Sequence, residues 1–298
     1  MEEIIHYTSC PACDSQRINF LFEARDHTVS KQLFSIWECE NCTLRFTQDV
    51  PAIGSIGKYY KSEDYVSHTN TRKGLVNTLY HKVRNHTLGL KLDLVKKLSG
   101  KSNGSLLDIG AGVGAFASFM KNAGWNVTAL EPDTDAIRRA KQLYELELKP
   151  SEEIYQLPEK SYDVITLWHV LEHVHDLHGY LNTFHRLLKP DGILVIPVPN
   201  YTSGDASGYK EFWAAYDVPR HLYHFSPGSM KKLLVAHGFG MRAVKPMWFD
   251  SFYVSLLSEQ YKTGRQNIIP AFIRGGISNL KAMTGTERAS SLIYVAGL

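Results

Sequence analysis

Four cysteines stand at Cys10, Cys13, Cys39 and Cys42, and no other occurs in the 298 residues. They form two C-x-x-C pairs. Two such pairs can set four thiolates tetrahedrally around one zinc ion. The 25 residues between the pairs slightly exceed the common spacing of roughly 15–20, so a longer hairpin is expected between them. The bland alternatives are four reduced thiols or two disulfides. A disulfide across C-x-x-C is strained and disfavoured in a reducing compartment. A structural Zn2+ on these four residues is the expectation.

A second group of residues suits the binding of a nucleoside. Gly110, Ala111, Gly112, Val113 and Gly114 follow the apolar stretch Leu106–Ile109, and a helical pattern follows them. Glycines at such a turn let the backbone bend tightly and approach a ligand with no Cβ in the way. The helix N-terminus behind offers free N–H groups. Glu131 ends the next apolar stretch, 21 residues after Gly110. A carboxylate there can accept both ribose hydroxyls.

Histidines make a third group. His169, His173, His175, His178 and His185 fall within 17 residues. His169 to His173 also spells H-x-x-E-H, a reversed zinc-protease signature. That motif belongs on a long helix, and this one sits at the end of a predicted strand. His178 and His185 are expected on the exposed face of the helix that follows. His173, nearer the strand end, suits a general base of near-neutral pKa. Its rival is His221, in the polar and aromatic stretch Trp213, Tyr216, Asp217, Arg220, His221 and His224. Arg220 there can fork onto a carboxylate or phosphate, and Trp213 and Tyr216 are expected to face substrate. Tyr59, Tyr60 and Tyr65 are a second set of candidate substrate contacts.

These residues need elements to position them. In residues 1–50 short apolar-aromatic stretches, Ile18 to Phe22, Leu33 to Trp37 and Leu44 to Phe46, flank the cysteine knuckles as strands of a zinc ribbon would. Residues 51–99 begin with a Pro/Gly-marked connector and continue as helix, with the amphipathic run Leu88 to Leu98 stopped by Gly100. From residue 100 strands and helices alternate. Strands are expected at Leu106–Ile109, Trp125–Leu130, Tyr162–Leu167, Ile193–Val198, Met241–Met247 and Leu292–Val295. Helices are expected at Ala115–Ala123, Thr134–Tyr144, Leu177–Leu188 and Ser226–His237. This alternation implies an α/β, Rossmann-like parallel sheet with helices on both faces. Ligands of such sheets bind beyond the carboxyl ends of the strands, where the glycine loop, Glu131, His169 and the loop after Val198 converge. An insertion occupies about 249–289. It is apolar and aromatic from Phe249 to Leu257, and basic with no acid from Lys262 to Lys281.

Gly110, Gly112 and Ala115 also fit the dinucleotide pattern G-x-G-x-x-A. Asp108 opposes that reading, because dinucleotide folds usually keep an apolar residue at that strand position. Four segments in order point elsewhere. Leu107–Gly114, Leu130-Glu131-Pro132, Tyr162–Val174 and Leu188–Leu194 resemble the motifs of class I S-adenosylmethionine-dependent methyltransferases. The resemblance runs from about residue 75 to the C-terminus and is nearest to small-molecule enzymes of the ubiquinone-biosynthesis O-methyltransferase type. It is also similar to sugar C-methyltransferases that carry a zinc module in front. It implies a seven-stranded sheet whose last strand inserts antiparallel. It implies S-adenosyl-L-methionine as cofactor, contacted by Asp108, Gly110, Ala111, Gly112, Gly114, Glu131, Pro132, Leu167, Trp168 and His169. The stretch Leu148 to Leu157 departs from the family pattern.

Composition bounds the partners. Hydrophobic residues make up 44%, enough for a sizeable core. A formal net charge of +3 gives no reason to expect a nucleic-acid or membrane partner. Residues 1–50 hold eight acidic and four basic residues. Four thiolates on one zinc would add about −2 more charge, which opposes an RNA-gripping ribbon. Met1-Glu2-Glu3 is followed by no apolar run, and no segment reaches about 18 uninterrupted apolar residues. Composition suggests a cytoplasmic protein, and the resemblance implies a methyltransferase acting on a small molecule by O- or C-methylation. The acceptor would be a sugar, a quinone-like compound or a lipid-linked metabolite, and the insertion a homodimer contact. The competing expectations are a zinc-ribbon RNA methyltransferase and a non-catalytic cofactor-binding or scaffold protein.

Overall fold

The computed structural model describes residues 3–60, 75–265 and 267–298, and only the backbone of 75–85. Tyr65 lies outside the described residues. Five short strands open the chain: β1 (Ile4–Ile5), β2 (Ile18–Arg25), β3 (Leu33–Cys39), β4 (Arg45–Thr47) and β5 (Val50–Pro51). The long spacer between the cysteine pairs is the β2–β3 hairpin. It runs antiparallel from Ile18 opposite Cys39 to Arg25 opposite Leu33, so the chain returns to the knuckle it left. A 3-10 turn at Ile56–Tyr60 follows, and then helix α1 (Leu75–Ser99). The apolar face of α1, with Leu88, Leu92 and Val95, packs on Leu106, Phe116 and Trp125.

The main sheet and its helices come next. They are β6 (Ser105–Ile109), α2 (Ala115–Asn122), β7 (Asn126–Leu130), α3 (Thr134–Tyr144), β8 (Tyr162–Leu167), α4 (Leu177–Leu187) and β9 (Leu188–Pro199). Then follow α5 (Gly204–Tyr209), β10 (Tyr223–His224), α6 (Pro227–Ala236), β11 (Gly240–Pro246), α7 (Asp250–Thr263), α8 (Ile268–Thr284) and β12 (Ser291–Gly297). The starts of some of these helices are written in the sequence. The Asp133 carboxylate accepts from the N–H groups of Asp135 and Ala136 at the head of α3. Ser226 and Ser229 form a reciprocal cap at the head of α6, with Pro227 in its first turn. Side-chain oxygens there satisfy N–H groups that have no partner within the helix.

The main sheet runs β11-β12-β9-β8-β6-β7. β7, β6, β8 and β9 are parallel. β12 is antiparallel to both β9 and β11, which is the reversed strand that the family resemblance implies. Every residue of β8 and of β12 is buried, as strands covered on both faces require. The expected seventh strand is corrected: among the described residues the sheet has six. Where another strand would flank β7, a single parallel bridge joins Leu130 and Lys149. Glu145 turns through a left-handed conformation and Pro150 lacks an N–H, which leaves too little chain between them for a ladder.

The cysteine-bearing segment is continuous with the rest of the molecule. β10, drawn from the loop beyond β9, pairs with β4 to complete a four-stranded sheet β10-β4-β3-β2. Thr47 donates to the His221 carbonyl at 2.7 Å. His175 Nε2 donates to the Pro51 carbonyl at 3.0 Å and His178 Nε2 to the Pro11 carbonyl at 2.9 Å. His178 was expected on an exposed face. It is instead half-buried and tethers α4 to the knuckle, while His185 is exposed.

Candidate active site

The carboxyl ends of β6, β7, β8 and β9 deliver the glycine loop, Glu131, the turn Trp168–His173 and the segment from Asn200 onward to one edge of the sheet. Gly110, Gly112 and Gly114 have φ of +65, +56 and +76°, values that L side chains rarely adopt. A Cβ on Gly110 would lie 2.5 Å from a methyl of Val170, so this glycine is what lets the β8 turn lie against the loop. A Cβ on Gly112 would meet nothing within 4 Å; its face of the loop is open.

Glu131 is buried, and its carboxylate closes the loop. One oxygen accepts from the Gly112 N–H at 2.7 Å and the other from the Asp133 N–H at 3.1 Å. Burial raises its pKa, against the pull of those two N–H groups. Pro132 follows directly. Asp108, buried at the end of β6, accepts from Thr166 of β8 at 2.7 Å. Burial pushes its pKa up to about 7, opposed by the Thr166 hydroxyl and by Lys91. Lys91 of α1 lies over the Trp168 ring at 4.0 Å from its centroid, and Phe116 packs edge-on against that ring. Leu167 is wholly buried behind them in β8.

His169 has a φ of +56°, which turns its ring between two carboxylates. Nε2 lies 3.1 Å from Asp250 of α7 and Nδ1 lies 3.5 Å from Glu172. Burial works against its charge, yet Asp250 and Glu172 together raise its pKa to about 10. His169 is thus an imidazolium, fixed at the root of the insertion.

His173 and His221 are brought together, ring centroids 4.6 Å apart and nearly perpendicular. His173 Nδ1 donates to the Arg220 carbonyl at 3.0 Å, and Tyr60 Oη lies 3.0 Å from the same nitrogen. His221 Nδ1 donates to the Ala215 carbonyl at 2.8 Å. Each backbone carbonyl fixes a tautomer that leaves Nε2 with a lone pair. A ring nitrogen of each histidine and a carboxylate oxygen of Glu172 all lie within 4.8 Å of one another. The Glu172 side chain has no exposure, and the ion pair with His169 is its charged contact on the other side. Burial, then the neighbouring His221 charge, lowers the His173 pKa to about 4. His173 is thus held as a neutral imidazole beside the ring of His221, with the buried Glu172 carboxylate close enough to stabilise an imidazolium formed there.

The expectation that Arg220 forks onto substrate is corrected. Its guanidinium is 1% exposed and spent inside the protein. It donates to Asp217 at 2.6 and 3.0 Å, to Thr28 at 2.9 Å, to the Tyr59 carbonyl at 2.8 Å and to Asp26 at 3.2 Å. Trp213 is buried, donating to Asp205 at 2.8 Å. Tyr216 is buried between the Trp213 and His224 rings and accepts from Arg45. These side chains set the loop that carries His221 and build its wall. Sequence reasoning passed over Lys91 and Asp250, and met Glu172 only as the acid of H-x-x-E-H.

The four cysteine thiols are free. Cys10 Sγ lies 3.5 Å from Cys42 Sγ and Cys13 Sγ 3.7 Å from Cys39 Sγ, and all four fall within 4.8 Å of one another. A tetrahedron of sulfurs at about 2.3 Å from zinc has edges of about 3.8 Å, so the arrangement fits that ion.

Comparison with known proteins identifies the family. The family described as a methyltransferase domain matches residues 81–244. The chain belongs to this family, that of the class I S-adenosylmethionine-dependent methyltransferases. Among its relatives, a ubiquinone biosynthesis O-methyltransferase of Hydrogenovibrio crunogenus is 29% identical over 46% of this chain and 58% of that one. A malonyl-[acyl-carrier protein] O-methyltransferase of Pseudescherichia vulneris is 26% identical over 44% of this chain and 53% of that one. The chain spans about half the length of the curated relatives it matches. A solved structure of the Burkholderia thailandensis 1,6-didemethyltoxoflavin-N1-methyltransferase is similar over 92% of this chain and 98% of that one, at 17% identity and a TM-score of 0.48. That likeness has no bearing on substrate. No described helix is long and apolar enough to cross a membrane.

Proposed function

We propose that this chain transfers a methyl group from S-adenosylmethionine to a hydroxyl or acidic carbon of a small molecule. The observation that carries the reading is the loop of three left-handed glycines clasped by Glu131, with the His173–His221 pair carried by the turn after β8 and the loop after β9. When bound, the cofactor supplies a methyl carbon activated by its sulfonium. Glu131 would hold the ribose hydroxyls, and Gly112 offers the close approach that a side chain would block. Asp108, Ala111, Pro132, Trp168 and His169 would line the same recess. The protein's task is then to align acceptor and methyl and to exclude water. His173 or His221 would take the acceptor's proton at Nε2 as the new bond forms. The acceptor class, whether quinone-like, sugar or lipid-linked, is open to the same chemistry.

Incubation with S-adenosylmethionine labelled at the methyl group and a small-molecule extract is expected to yield a labelled product. Glu131→Ala is expected to weaken cofactor binding by about 1.5–3 kcal/mol, the range for a hydrogen bond to a charged group. Wild-type affinity in that variant would remove Glu131 from the cofactor site.

Zinc on Cys10, Cys13, Cys39 and Cys42 belongs to the same proposal. Its role would be structural, since four thiolates leave no open position. Through β4 and Thr47 the knuckle holds β10 and the His221 backbone. Elemental analysis of protein purified without chelators is expected to find about one zinc per chain. Metal-free protein that keeps its fold would refute the assignment.

A further inference from the structure

The helix α8 is built inside out. Soluble helices usually turn their large apolar side chains inward. Here the inward residues are small: Ala271, Gly275, Ser278 and Ala282 are buried. A Cβ on Gly275 would come within 3.0 to 3.2 Å of Phe252 and the Ser251 carbonyl of α7, so the two helices are as close as their backbones allow. Ser278 donates to the buried Asp205 at 2.7 Å, which fixes the rotation of α8 about its axis. The large apolar side chains therefore point outward by construction. Ile269 is 75% exposed, Met283 72%, Leu280 64% and Ile273 57%, with Phe272 beside them on the i, i+3, i+4 face. At the N-terminus of α7 Phe249 is 67% exposed. Isolated exposed apolar residues need no explanation, but a row of them along a 17-residue helix does.

Charge identifies what covers this row. Lys262, Arg265 and Lys281 fall within or beside α8, and no acid lies between Lys262 and Lys281; Arg274 is engaged inward, donating to the Gly208 carbonyl at 3.2 Å and lying over the Tyr209 ring. The acids packed under the hairpin, Asp205 and Glu259, are buried. Two copies meeting through this face would bring two basic rims together. An anionic lipid surface answers both the apolar row and the basic rim, and α8 is too short and too polar on its inner face to cross a bilayer. We propose that α8, with the start of α7, is an interfacial amphipathic anchor. It would lie in the headgroup region of an anionic membrane with Ile269, Phe272, Ile273, Leu280 and Met283 facing the acyl chains. His169–Asp250 ties the root of α7 to the turn beside the glycine loop, so the anchor would present the candidate active site to the lipid surface.

Co-sedimentation of the full chain with vesicles tests this. Phosphatidylcholine vesicles containing about 30% phosphatidylglycerol are expected to bind the protein at least about tenfold more tightly than pure phosphatidylcholine, and less tightly at high salt. The double variant Ile273→Asp/Leu280→Asp changes exposed positions only. It should lose that binding while keeping wild-type circular dichroism and cofactor affinity. Equal binding to both vesicles, or none, overturns the proposal. So does a dimer in solution that the double variant splits without any vesicle binding by the wild type.

Discussion

Arg220→Met is expected to destabilise the chain by about 3–5 kcal/mol, the cost of leaving buried charge uncompensated. Asp26 has no exposure and Asp217 is largely covered. The Asp26 pKa is lowered by the N–H groups of Ser30 and Val29 and by Arg220, against the cost of burial. Arg220 itself joins three segments: the β2–β3 hairpin through Asp26 and Thr28, the Tyr59 carbonyl, and its own loop through Asp217. Loss of the guanidinium should therefore lower the thermal midpoint of the whole chain. Urea denaturation, followed by circular dichroism, measures the difference. Arg220→Lys should rescue little, because an ammonium cannot reproduce the planar fork. A change below about 1 kcal/mol, the value of an ordinary exposed pair, would show that the cluster is not the joint described.

The larger kinetic effect is expected at the histidine pair. If His173 takes the acceptor's proton, His173→Ala should lower turnover by about 10²–10⁴ and leave cofactor affinity nearly unchanged. The sign of the pH dependence follows from its pKa of about 4. A base works unprotonated, so the rate should rise with pH through that value and be flat across neutral pH. His221→Ala should mainly raise the Michaelis constant in that case. The reverse pattern, with His221→Ala abolishing turnover, exchanges their roles. Near-wild-type turnover in both variants would remove the pair from the chemistry.

The parts of this account that the sequence disclosed are local. Glycine at 110, 112 and 114 is legible because left-handed backbone demands it, and Glu131 because a strand of fixed length separates it from the loop. The helix starts at Thr134 and Pro227 follow from Asp133 and Ser226, whose side chains cap whatever helix comes next. The parts it concealed are long-range. Arg220 meets Asp26 across 194 residues of chain, and nothing near either residue advertises the other. An arginine in a polar loop thus reads as a ligand contact when it is a clasp. His178 reads as exposed because helical periodicity cannot show that the Pro11 carbonyl arrives on that face. The seventh strand, which no described residues form beside β7, was inferred from family resemblance, whereas Glu145 and Pro150, visible in the sequence, already limited it. The outward apolar face of α8 was visible only as composition, because the burial of Ala271, Gly275, Ser278 and Ala282 depends on α7.

Calorimetric titration with S-adenosylhomocysteine and, separately, with NAD tests the central claim most directly. Both molecules carry an adenosine that Glu131 and the glycine loop would recognise, so the contrast isolates which cofactor the recess was built for. About one site per chain for S-adenosylhomocysteine, weakened in Glu131→Ala, with no heat from NAD, is the result this account predicts. Saturable binding of NAD, with none of S-adenosylhomocysteine, would contradict it.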